Sequence, residues 1–535
     1  MTDYTAPVRD MRFVLNDLIG MERITALPGY DHASPDLVDA ILDEAAKFAG
    51  NVLAPLNHSG DKEGARLDAA GAHPPAGFAD AYAQFVAGGW NALGCDPDFG
   101  GQGLPAVLGT AVKEMWNAAN LAFSLCPLLT TGAIEALHLV GTDAQKAMYL
   151  PKMVEGSWTG TMNLTEPQAG SDLAAVRTRA VPNADGSYAI SGQKIYITYG
   201  EHELTDNILH LVLARLPDAP EGSAGISLFA VPKFLPDGSR NGVACLSIEH
   251  KLGIHASPTC VMGFEGALGE LVGPQHKGLA CMFAMMNAAR LGVAMQGVAV
   301  AERAFRRATD FANGRAQGGA AIIEHPDVRR MLLTMRALAL GGRALTLYAA
   351  NCAEPRASLL IPVAKSWCTD AGVEAASIGV QVHGGMGFVE ETGAAQHLRD
   401  ARITPIYEGT NGIQAITLLR RGLLRDQGAA VTALLDEILD DAPLLASGVA
   451  TARTAADHLR QAEARTAEAG ASAFLQIIGT LTAGWLCAKM VAAEDAPPAA
   501  RTAAAVFLDQ IMPRVAFHAA TLNATPALVG RGPIE

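Results

Sequence analysis

At 535 residues the chain exceeds what one hydrophobic core can organise and has room for three or four domains. Half of it is hydrophobic, 18% is charged and 6% is aromatic, and alanine is abundant, a balance that favours a mostly helical interior over an all-β design. The formal charge of −14, with no dense Lys/Arg run, argues against binding to a nucleic-acid backbone, and Arg329, Arg330 and Arg336 read as solvated helix faces.

The eight cysteines are scattered without metal-ligand spacing and read as reduced, buried thiols. Asp3 and Asp10 fall early in an N-terminus that lacks a leader pattern, so a cytoplasmic location is expected.

In chain order, a helical N-terminal domain is expected over residues 1–158, with Leu37, Ala40, Ile41, Ala45, Phe48 and Val52 recurring at helical spacing behind Pro35. The texture then changes to a small β domain over 159–273. There Asp185-Gly186 and Ser191-Gly192 read as turns, and 207–214 and 225–231 are apolar enough for buried strands. Helices return over 274–425, where Val328, Met331, Leu332, Met335 and Leu338 mark one apolar face behind Pro326. A further helical extension occupies 426–535. Its segment 469–488 carries no charge and reaches membrane-spanning length, but Gly, Ala, Ser, Thr and Gln dilute it, and a buried helix is the expectation. The fold class is therefore mainly α with a central β domain.

Four segments have the composition of a chemical site. Met162–Asp172 offers hydroxyls, amides and glycine suited to a polar cofactor, or simply a turn and a helix cap. In Gly192–Thr198, Tyr196 and Thr198 are expected on one strand face and Ile195 and Ile197 on the other, a pairing that suits a flat heterocycle and equally an ordinary half-exposed strand. Gln381–Phe388 allows close backbone approach through its glycines, yet lacks the GxGxxG spacing of a dinucleotide fingerprint. In Ile403–Gln414, Glu408 follows Ile406 and Tyr407, where desolvation would make its carboxylate a stronger base, although a cap for the next helix explains the turn too.

Taken together, in this order and at these separations, the four segments resemble the flavin-dependent acyl-CoA dehydrogenase family over roughly 35–425. The N-terminal Tyr4–Phe13 stretch and the C-terminal extension are similar to a longer branch of that family, one that includes 3-methylmercaptopropionyl-CoA dehydrogenases. The resemblance implies a helical N-domain, a small β-barrel, a helical bundle and the extension. It implies FAD as cofactor, an acyl-CoA as substrate, an electron-transfer flavoprotein as acceptor, and a homodimer or larger, while charge and composition lead us to expect no nucleic acid and no membrane span.

By the same resemblance, Glu408 is the base that removes the α-proton of the thioester, and the carbonyl oxygen lies between the Glu408 N–H and a flavin hydroxyl. Thr165 and Thr198 bond the flavin ring, Tyr196 stands where a tryptophan is usual, and Ser171 lies near the flavin phosphates and the CoA arm. Arg315, Gln381, Gly384 and Gly385 reach the FAD of a neighbouring subunit. Thr410 and Asn411 touch its adenosine side, and Arg290 lies close to the base and the CoA chain. Departures are Ala289 at a position where some relatives carry the base, and Pro326 and Gly412 in place of common glutamines. Two other readings are an acyl-CoA oxidase and a DNA-associated flavoprotein relative. The second needs a basic extension, whereas Asp436, Glu437, Asp440, Asp441, Glu463, Glu468, Glu494 and Asp495 leave this one acidic or mixed.

Overall fold

Strands β1 (Trp158–Asn163), β2 (Arg179–Pro182), β3 (Tyr188–Thr198), β4 (Asn207–Arg215), β5 (Ile226–Pro232), β6 (Val243–Ile248) and β7 (Thr259–Val272) form a seven-stranded sheet in a computed structural model that describes residues 4–529. Their pairing runs β4-β2-β3-β7-β5 and returns from β5 to β4, so five strands close on themselves, with β1 parallel to β4 and β6 antiparallel to β7 at the sides. Closure leaves few open sheet edges.

The run 207–214 does not alternate because β4 is buried on both faces. Leu209, Leu211 and Leu213 join one apolar cluster with Ala133, Ile134, Leu137, Leu150 and Met153 of helices Leu121–Val140 and Asp143–Glu155. Val212 and Ala214 join another with Phe229, Val231, Met262 and Phe264. Thr142 and Gln145 cap the second of these helices reciprocally, which fixes where it starts.

Of the two expected turns, Asp185-Gly186 joins β2 to β3, with Asn183 N–H bonded to the Ser187 carbonyl at 2.8 Å. Ser191-Gly192 lies instead inside β3, at a bulge in its pairing with β7. Gly192 has φ +152°, and a Cβ there would come within 2.5 Å of Thr178 Oγ1, so close approach of a neighbouring strand explains the glycine.

Residues 47–105 and 119–289 pack with the barrel as one compact unit, and residues 4–46, 106–118 and 290–529 as another. The second unit is helical, and its long helices are tied by a buried ion cluster. Arg343 on Pro326–Asn351 donates to Glu114 at 2.5 and 2.9 Å and to Glu302 at 3.0 Å, and all three side chains are essentially inaccessible. Of the expected apolar face, Leu332, Met335 and Leu338 are buried and Val328 and Met331 half-buried, behind Pro326 in the first turn.

Helices Ala429–Asp441, Ala446–Gln461, Ala464–Ala492, Pro498–Val506 and Arg514–Val529 build the extension. Among the described residues, three helices are long and apolar enough to cross a membrane; in Ala464–Ala492, 83% of the most apolar stretch is buried within the fold. That helix docks on Arg356–His383, where Trp367 donates to Thr480 Oγ1 at 3.0 Å and Gly479 leaves no room for a Cβ beside the indole.

Candidate active site

The barrel unit carries the first two site segments, and a buried ion pair joins them. Lys194 Nζ donates to the Leu164 carbonyl at 3.0 Å and to Glu166 Oε1 at 2.8 Å. Glu166 also accepts from Thr178 N–H and hydroxyl, Arg177 N–H and Gln168. Burial alone would raise the Glu166 carboxyl, but the Lys194 charge and these donors outweigh it and bring it down to about 2. Thr165 between these anchors accepts at its carbonyl from Ile195 N–H at 2.9 Å, so the loop is fastened to β3. Neither Glu166 nor Lys194 stood out in the sequence, though both lie inside the segments singled out; a charged pair in an otherwise neutral motif was the available signal.

Strand β3 breaks its pairing again between Lys194 and Ile197, and Tyr196 in the break has φ +62°. A bulky residue in the left-handed region is strained and persists only where its surroundings impose it. The break also upsets the expected alternation: Lys194 and Ile197 are buried, Ile195 and Thr198 are half-buried, and Tyr196 is 60% exposed. The bulge turns the Tyr196 ring outward. Ser171 is exposed and Thr165 half-buried, and the side chains of Thr165, Ser171, Tyr196 and Thr198 bond to no other described residue. A strained aromatic with three uncommitted hydroxyls on adjoining segments fits a flat, polar heterocycle better than it fits a barrel built only for stability.

In the helical unit, Glu408 has φ +55° and precedes Gly409 at φ +83°. The carbonyls of this turn are held from several sides. Gln414, fully buried, donates to the Glu408 carbonyl at 3.2 Å and the Gly409 carbonyl at 3.1 Å. Arg290 Nε reaches the Glu408 carbonyl at 3.3 Å, and Lys365 Nζ reaches that of Gly409 at 2.9 Å. The Glu408 N–H, by contrast, donates to no acceptor among the described residues.

Capping of the next helix falls to Thr410, whose hydroxyl accepts from Ile413 N–H at 3.3 Å, and Glu408 plays no part in it. Tyr407 is fixed through its hydroxyl to Gln296. Glu408 keeps some surface open but sits deep among protein atoms, and this burial pushes its carboxyl up to about 7 against the charges of Arg290 and Lys365. Burial likewise draws the Lys365 ammonium down to about 7, opposed by Glu408 and Asp370.

Asn411 differs from expectation. Its amide bonds to Lys365, Ser366, Thr369 and Asp370 of Arg356–His383, so both ends of the side chain are turned inward rather than towards a ligand. Arg315, Gln381, Gly384 and Gly385 are all exposed, and Phe388 beside them is 88% exposed.

The segments matched by known domain families follow the chain order. Residues 36–157 match the acyl-CoA dehydrogenase N-terminal domain, 161–267 its middle domain and 276–423 its C-terminal domain. A 3-methylmercaptopropionyl-CoA dehydrogenase of Ruegeria pomeroyi is 48% identical over 527 residues, covering 90% of each chain. The chain belongs to the acyl-CoA dehydrogenase family. It is thus an oxidoreductase of a family whose cofactor is FAD.

Among solved structures, an electron-transferring flavoprotein study of Acidaminococcus fermentans includes a chain 29% identical to this one, with a TM-score of 0.65, covering 74% of this chain and 99% of that one. An acyl-CoA dehydrogenase of Bacillus anthracis, solved with FAD, superposes with a TM-score of 0.77 at 21% identity, covering 94% and 93% of the two chains. The second likeness shows that the fold including the helical extension recurs.

Proposed function

We propose that the chain carries out the FAD-dependent α,β-dehydrogenation of a short acyl-CoA thioester to the trans-2-enoyl-CoA, with 3-methylmercaptopropionyl-CoA as the leading substrate. The observation that carries the reaction type is Glu408, a carboxylate held in a left-handed turn with its pKa pushed up to about 7 and its own N–H unpaired. The 48% identity to the Ruegeria pomeroyi enzyme over nine-tenths of both chains supports the acyl group.

An α-proton of a thioester is weakly acidic, so a site for this reaction has to supply a base and stabilise the charge that develops on the carbonyl oxygen. The Glu408 carboxylate is the base, and its raised pKa narrows the gap to the carbon acid. The free Glu408 N–H is the donor for the developing oxyanion, held ready because the carbonyls of residues 408 and 409 are pinned by Arg290, Gln414 and Lys365. FAD, when bound, supplies the hydride acceptor. Thr165, Thr198 and Tyr196 are assigned to its ring, Ser171 to its phosphates and the CoA arm, and Thr410 with the Asn411 backbone to its adenosine side. Arg290 is assigned to the substrate side of the base. Arg315, Gln381, Gly384 and Gly385 serve a second copy's FAD in a homodimer, in keeping with their exposure. Electrons pass on to an electron-transfer flavoprotein, a reading supported by the Acidaminococcus fermentans likeness.

The test is anaerobic flavin bleaching with a panel of acyl-CoA thioesters, methylthio and straight-chain, from short to long. Fastest bleaching by 3-methylmercaptopropionyl-CoA is expected; a preference for long chains would overturn the substrate. Reoxidation of the reduced enzyme with and without oxygen separates this reading from an oxidase.

A further inference from the structure

We infer that Lys365 and Asn411 are positioning residues for the Glu408 turn, and that Gln476 of the C-terminal extension fixes them through Asp370. The inference rests on Glu408 being the base.

The relay follows from donor and acceptor chemistry. Asn411 Nδ2 lies 3.2 Å from the Ser366 carbonyl and 2.8 Å from Asp370 Oδ1, both acceptors, so the amide has one orientation that satisfies it. That orientation presents Asn411 Oδ1 to Lys365 Nζ at 2.9 Å, and the same ammonium reaches the Gly409 carbonyl at 2.9 Å. Asp370 is shared: its Oδ2 accepts from Gln476 Nε2 at 2.7 Å, across from the Ala464–Ala492 helix. Gln476, Asp370, Asn411, Lys365 and Gly409 therefore form an unbroken chain of hydrogen bonds from the extension to the residue after the base. Lys365 has no exposed surface, and an ammonium so placed is retained only when its partners are good.

The arrangement does two things. It holds the Gly409 carbonyl, and with it the left-handed backbone of Glu408, in a conformation that a non-glycine residue does not keep unaided. It also sets beside the base an ammonium whose charge burial weakens as pH rises through about 7. The charged and titratable groups facing this cluster are Arg290, Glu408 and Asp370 around Lys365, Arg402 beside Asp370, Arg421 beside Arg290, and Tyr407 beside Glu408. Losing the Lys365 charge leaves Arg290 as the cation opposing burial of Glu408, so the carboxyl should rise further.

The experiment uses FAD-loaded enzyme. It follows the pH dependence of substrate-driven flavin reduction in stopped flow, together with amide hydrogen exchange over residues 406–413. For Lys365→Met the limb on which activity rises with pH should move up by about one unit, and exchange in the turn should quicken. Lys365→Arg, which keeps the charge, should bring the limb back. Gln476→Leu should quicken exchange in the same turn with KM unchanged. A Lys365→Met limb superposed on wild type overturns the role of Lys365; unaltered exchange in Gln476→Leu overturns the link to the extension. Glu408→Gln, run alongside, tests the base itself: retained flavin reduction there refutes the base assignment, while the exchange results still judge the relay.

Discussion

Glu166 in the barrel unit and Glu408 in the helical unit are both carboxylates withdrawn from water, yet their surroundings drive them apart, to about 2 and about 7. Glu166 receives direct hydrogen bonds from an ammonium, a hydroxyl, a side-chain amide and two backbone N–H groups. Glu408 feels Arg290 and Lys365 through their charge, while Arg290 bonds the Glu408 carbonyl and Lys365 the Gly409 carbonyl and Asn411 Oδ1. Burial is common to both; what differs is where the donors point. Donors aimed at the carboxylate make a rivet, and donors aimed at the backbone around it make a base.

The largest expected effect strikes the base. Glu408→Gln should slow substrate-driven flavin reduction by roughly 10²–10⁴-fold, with FAD still bound and no loss of thermal stability. A large loss of stability instead would show Glu408 to be a second rivet.

Lys194→Met tests the opposite side. It leaves Glu166 buried without its cation and should destabilise the protein by about 3–5 kcal/mol in denaturant titration. A loss below about 1 kcal/mol would break the contrast.

The pH dependences should also run in opposite directions. The Glu166 carboxyl lies below its ordinary value of 4.5, so the stability it contributes is present above that value and lost as pH falls towards 2. The Glu408 carboxyl lies above 4.5, so ionising it costs stability progressively as pH rises from 4.5 to about 7. Glu408→Gln should therefore gain stability relative to wild type across that second interval, while wild-type kcat/KM rises with pH through about 7. The smallest effect belongs to Tyr196→Gly, which relieves a left-handed residue and should shift stability by no more than about 1 kcal/mol while quickening FAD dissociation, followed by flavin fluorescence.

The buried strands were legible because a β-strand covered on both faces has to be apolar throughout, as 207–214 is. Glu408 was legible because its carboxylate interrupts an apolar, aromatic approach. What escaped depended on contacts distant in sequence. Ser191-Gly192 has the composition of a turn, and only Thr178 pressing on Gly192 marks it as a bulge. Tyr196 and Thr198 satisfied a two-residue alternation that the second bulge then broke. Asn411 sits in the motif like a ligand contact, yet its partners come from a helix more than 40 positions upstream, in agreement with the 46-residue separation from Lys365. Lys365 itself has only helical neighbours in sequence, and nothing local distinguishes it from a solvated lysine.

The seating of Ala464–Ala492 bears on the order in which the chain can assemble. The helices against which it packs, Pro326–Asn351 and Arg356–His383, precede it, so they are already synthesised when this long apolar segment leaves the ribosome. Its companions Pro498–Val506 and Arg514–Val529 emerge after it. Vectorial synthesis thus offers this long apolar stretch of the extension a partly built receptor at birth, and a chain cut just after Ala492 would leave the other side of that helix bare.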